Sequence, residues 1–138
     1  MKMTSRILGL SLLALLLGAF GCSKRPDSVA LKGTWQGREG GAARTDSLVL
    51  SDNNLEFHGA NPQEWYKGTF TLHEDSDPKQ MIITITDCPF PKYVGQTANA
   101  IYRIEKGKLT IAGNEPGDPA MPTAFNAPGT RTMVFTMK

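Results

Sequence analysis

Seven short stretches of the chain alternate apolar and polar side chains with a period of two, and no amphipathic helix exceeds two turns. Leu48 and Leu50 alternate with Ser47 and Val49; Leu55 and Phe57 alternate with Glu56 and His58. Tyr66, Phe70 and Leu72 share one face, with Lys67, Thr69, Thr71 and His73 on the other. Ile83 and Ile85 lie between threonines, Ala100, Tyr102 and Ile104 oppose Arg103 and Glu105, and Leu109 and Ile111 oppose Lys108 and Thr110. Met133, Phe135 and Met137 close the series, and Gly33-Thr34-Trp35 opens it, which makes about eight strands. Asp52-Asn53-Asn54 and Lys106-Gly107 supply residues that tolerate left-handed backbone, as tight hairpins require. Many short alternating strands joined by such turns specify an all-β, antiparallel fold. A barrel is favoured over an open sandwich because closure removes unprotected edges.

Before the strands the chain reads as an address. Lys2 and Arg6 precede a 14-residue apolar run, Ile7 to Phe20, and the small residues Ala19 and Gly21 lead to Cys22. That order is a signal peptide over residues 1–21, with an apolar run too short for a settled membrane span. The junction resembles the lipobox of bacterial lipoproteins, in which cleavage leaves a lipid-carrying Cys as the first residue; Cys22 is the lipidation candidate. An ordinary signal-peptidase cut before Cys22 fits the same residues and differs only in the lipid. A lipid-anchored reading puts the protein in the bacterial cell envelope. Ser23, a non-Asp residue after the Cys, points to the outer membrane in the enterobacterial pattern. Residues 22–30 then read as a polar tether and 31–138 as one domain.

Charge excludes one class of partner. Removal of Lys2 and Arg6 from 15 basic residues leaves 13, against 13 acidic ones. A neutral surface has no long-range attraction for nucleic acid, so no nucleic-acid partner is expected. With Cys22 lipidated, Cys88 has no disulfide partner and reads as a small buried hydrophobe.

Leu31-Lys32-Gly33-Thr34-Trp35 looks like the Gly-x-Trp opening of lipocalins. Together with Ile101-Tyr102-Arg103-Ile104, Gly107, Leu109 and the later Pro122-Thr123-Ala124-Phe125, the chain resembles an uncharacterised bacterial lipocalin-like domain family. The resemblance covers roughly residues 30–138. It implies a small exported or lipid-anchored β-barrel with Trp35 plugging one end. It also implies that an Arg from the last strand, here Arg131, lies across that Trp in a cation–π contact.

Chemistry-bearing motifs are sparse. His58 and His73 fall on polar strand faces, and His73-Glu74-Asp75-Ser76-Asp77 lacks the spacing of zinc or EF-hand sites. No nucleophile elbow, phosphate loop or dinucleotide fingerprint is present. No catalytic residue, metal or cofactor is therefore expected. Trp65-Tyr66 places one ring outward or at a rim, where it could stack on carbohydrate or pack against a loop. Two long connections, Asp87 to Thr97 and Gly113 to Arg131, carry enough apolar side chains to expect lids packed over a barrel end.

The expected function is a non-enzymatic, envelope-anchored barrel that takes a small apolar ligand at its open end, with Phe57, Phe70, Ile85 and Tyr102 as lining. The alternative is a filled barrel acting as a structural or protein-interaction module toward an envelope protein at the cell surface. Eight strands suffice for either, so the interior volume decides.

Overall fold

The computed structural model describes residues 24–38 and 45–138; the leader, Cys22, Ser23 and residues 39–44 lie outside that range. A short helix α1 (Asp27–Leu31) precedes eight strands: β1 (Gly33–Arg38), β2 (Asp46–Ser51), β3 (Asn54–His58), β4 (Trp65–His73), β5 (Lys79–Asp87), β6 (Thr97–Glu105), β7 (Lys108–Gly113) and β8 (Arg131–Met137). Each strand pairs antiparallel with the next, and β8 returns to β1, closing a barrel of the lipocalin-like kind. The register follows the period-two pattern: Leu48 faces Phe57, Phe57 faces Tyr66, Phe70 faces Ile83, and Ile111 faces Met133. Both side chains of each such pair therefore point inward, and the pairs continue round the circuit.

Closure depends on close backbone approach. Gly37 pairs with Phe135 across the β1–β8 seam, and a Cβ there would lie 2.5 Å from the Phe135 ring and 2.6 Å from the Val134 carbonyl oxygen. The missing side chain lets Phe135, wholly buried, lie across β1. At the β6–β7 hairpin Lys106 and Gly107 both take positive φ, 50° and 75°, as a type I′ turn requires.

The two ends differ. Tight turns after β2, β4 and β6 gather at one end, and α1 caps it. Leu31 is completely buried there, Trp35 is 2% exposed, and the indole Nε1 donates to the Leu31 carbonyl at 2.8 Å. The Trp35 ring thus fills this end beneath α1. The expected tether 22–30 is shorter than read, because Asp27 onward folds onto the barrel. Asp27, 4% exposed, accepts from Lys79 Nζ at 2.6 Å and from the Tyr102 hydroxyl at 2.8 Å, while its own N–H donates to Glu74 at 2.9 Å.

The middle of the connection from β7 to β8 packs on the side of the barrel and does not form the expected lid over its end. Ile101, Ala112 and Thr110 sit on the outward phase of β6 and β7, yet all three are buried. The β7–β8 connection covers that outer wall: Asn99 Nδ2 donates to the carbonyls of Pro119 and Ala120 at 3.1 and 3.4 Å, and the Arg103 guanidinium lies 4.4 Å from the Phe125 ring centroid. Apolar side chains outside the barrel needed a cover, and this segment supplies it. The β5–β6 connection, with a 3-10 turn at Pro91–Tyr93, stays at the open end.

Candidate functional site: the cavity at the open end

β6 explains why one half of the barrel is hollow. Its inward series runs Ala98, Ala100, Tyr102, Ile104, small toward the open end and large toward the closed one. Across the next pair, Gly113 faces Ala100 and Ile111 faces Tyr102. Where Tyr102, Trp35, Phe70, Met81 and Leu109 meet, the interior is filled, with each 4% exposed or less. Where Ala98, Ala100 and Gly113 line it, a cavity of about 340 Å³ remains. That volume lies at the lower end of small-molecule sites.

Leu48, Leu55, Phe57, Ile83, Ile85, Ile111 and Met133 form its apolar wall, and Tyr66, Tyr93, Asn114, Glu115 and Arg131 ring its mouth. Of the four expected lining residues, Phe57 and Ile85 line the cavity, whereas Phe70 and Tyr102 belong to the filled half. Tyr66, Tyr93 and the small residues of β6 and β7 were not singled out from the sequence. The alternation had already placed Tyr66 inward, and Ala98 and Ala100 were readable as gaps opposite Ile83 and Met81.

Arg131 requires a correction. Because β1 and β8 are antiparallel, the first residue of β8 lies at the open end, while Trp35 pairs with Met137 at the closed end. Six residues of strand, about 20 Å, separate Arg131 from that pair. Its guanidinium instead lies 5.8 Å from the Phe57 ring centroid and forms an ion pair with Glu64, from the loop after β3.

The rest of the mouth is similarly paired. The Tyr93 hydroxyl donates to Glu115, and Lys92 Nζ sits 3.6 Å from the same carboxylate. The hydrogen bond from Tyr93, followed by the Lys92 charge, holds Glu115 below the ordinary carboxylate range. Tyr66 packs between Phe57 and Phe90, with ring centroids 6.2 and 6.1 Å away. Burial, and then the negative charge of Glu64, raises its phenol above the ordinary value. Its hydroxyl has no hydrogen-bond partner among the described residues. Asp46, buried at the open end of β2, accepts from the Ala60 N–H at 2.8 Å through Oδ1, and its Oδ2 has no partner among the described residues.

Other candidates fall into ordinary roles. Cys88 is 7% exposed and its Sγ donates to the Phe90 carbonyl at 3.1 Å, as a small buried side chain. His58 is exposed and bonded to Glu56 at 2.7 Å, while Trp65 lies outward with Lys67 Nζ 5.8 Å from its ring centroid. Among the described residues no three His, Cys, Asp or Glu side chains gather as a metal site. Comparison with protein-family models, with curated proteins and with solved structures returned no match.

Proposed function

We propose that the chain is a non-enzymatic carrier that holds a small apolar molecule in its open-end cavity, tethered to the bacterial envelope through lipid on Cys22. The single observation that carries the binding part is the half-filled barrel. An apolar space of about 340 Å³ persists where Ala98, Ala100 and Gly113 replace the bulky residues found elsewhere. Empty apolar volume forgoes packing energy, and a ligand recovers it. The anchor part rests on the sequence before Lys24 alone.

The full chain carrying Cys22→Ser, exported in cells and purified without organic solvent, is the material for the test. Native mass spectrometry is expected to show an adduct of small-molecule mass that disappears on denaturation. Ala98→Phe should abolish the adduct while keeping unfolding free energy within about 1 kcal/mol, since the new ring enters existing space. A bare mass for the parent chain, or an adduct indifferent to Ala98→Phe, would move the reading to the filled-barrel, protein-interaction alternative.

A further inference from the structure

Charges at the cavity mouth are already matched within the protein. Arg131 is held by Glu64, and Lys92 by Glu115, which also takes the Tyr93 proton donor. Asp46 adds a third carboxylate to the open end, with one buried oxygen that has no partner among the described residues. A ligand carboxylate drawn to Arg131 would compete with Glu64, and that pair is partly shielded from water, with side chains 37% and 24% exposed. An ammonium head would meet Glu64 and Glu115 already neutralised by Arg131 and Lys92. Asp46 does not line the cavity and is not available to it.

One polar group is uncommitted. The Tyr66 ring forms part of the cavity lining, and its hydroxyl is without a hydrogen-bond partner among the described residues. A phenol in that position is a neutral donor that rewards an oxygen acceptor and costs nothing in charge. At about 30 Å³ per non-hydrogen atom, the cavity holds roughly eleven such atoms. We infer that the ligand is uncharged: an apolar body of about that size with one carbonyl or hydroxyl oxygen that accepts from Tyr66. This inference rests on the carrier reading above.

Five probes of matched size separate the possibilities: 1-decanol, 2-decanone, decanoate, decylamine and undecane. Each is titrated against ligand-stripped Cys22→Ser chain carrying a neutral apolar fluorophore, and displacement is read. Decanol and decanone should bind at least about tenfold more tightly than decanoate and decylamine. Tyr66→Phe should weaken the alcohol and ketone about fivefold, as loss of one neutral hydrogen bond does, and leave undecane unchanged. Decanoate binding as tightly as decanol would overturn the inference and leave the carrier reading standing. Decanol binding indifferent to Tyr66→Phe would do the same. If none of the five displaces the fluorophore, the carrier reading fails first and takes the inference with it.

Discussion

Replacing Gly68 by alanine is expected to lower the unfolding free energy by about 3 kcal/mol, a large share of the stability of a domain this size. Gly68 is buried on the inner face of β4, next to an irregularity where Lys67 pairs with Asp87 but Gly68 already pairs with Ile85. A Cβ built there lies 2.2 Å from the Thr84 carbonyl oxygen and 3.1 Å from its carbon. Both are backbone atoms of β5, so no rotamer change relieves the overlap. The strand itself has to move, and with it the paired positions that carry Ile85 into the cavity wall. Gly113→Ala is the matched control, because its Cβ would meet the Ala100 side chain at 3.6 Å and the Asn99 carbonyl oxygen at 3.9 Å, both ordinary contacts. Urea denaturation of both variants distinguishes them. Equal midpoints would mean that β4 and β5 are not as close at Gly68 as described.

Asp27→Ala is expected to cost about 2–3 kcal/mol, chiefly through Tyr102. That hydroxyl is buried with Asp27 as its acceptor, and removal of the carboxylate leaves it without one. Lys79 is 29% exposed and regains water, so its share is smaller. The same network sets the pH range of stability. Burial alone would raise the Asp27 pKa, but hydrogen bonds from Lys79 and Tyr102, with the charges of Lys79 and Lys24, outweigh it and hold the carboxyl below its ordinary value. A depressed folded-state pKa gives stability that is complete above about pH 4 and is lost as pH falls through the lower folded value. On the alkaline side, Tyr102 is pushed up by burial and then by Asp27, and Lys79 is raised by its hydrogen bond to Asp27. Their contributions hold below about pH 10 and are lost as pH rises. Thermal melts from pH 2 to 11 should show a plateau with two falling limbs in the parent chain. Both limbs should be shallower in Asp27→Ala. Parallel curves for the two proteins would show that the network does not control either limb.

The strands and their inward faces were legible because a half-buried antiparallel strand writes its burial directly into alternating residues. Three features were harder to read, each for a physical reason. Helix α1 has five residues, too few for a 3.6-residue period to show, and its buried side chains are one apolar residue, Leu31, and one acid, Asp27. The resemblance to lipocalins implies Arg131 across Trp35, whereas the antiparallel alternation of eight strands puts the start of β8 beside the end of β1, at the opposite end of the barrel. The cover on the outer wall left a trace in Ala100-Ile101-Tyr102 and Ile111-Ala112, where the alternation lapses into continuous apolar runs. Such runs mark strands buried on both faces. The cavity was legible only in part, since large inward residues attract attention and the space comes from Ala98, Ala100 and Gly113.

The stopper formed by α1 fixes which way the vessel points. Lys24 enters the fold at the plugged base, so a lipid on Cys22, two residues earlier, would hold the barrel by that base. Strands of up to nine residues, tilted as barrel strands are, set the rim about 25 Å farther from that membrane than the base. A carrier held this way empties and fills on the side away from its own bilayer. On the proposed carrier reading, exchange would take place with the opposing surface or the space between, and shortening the chain ahead of α1 would change the reach of the barrel without touching its grip.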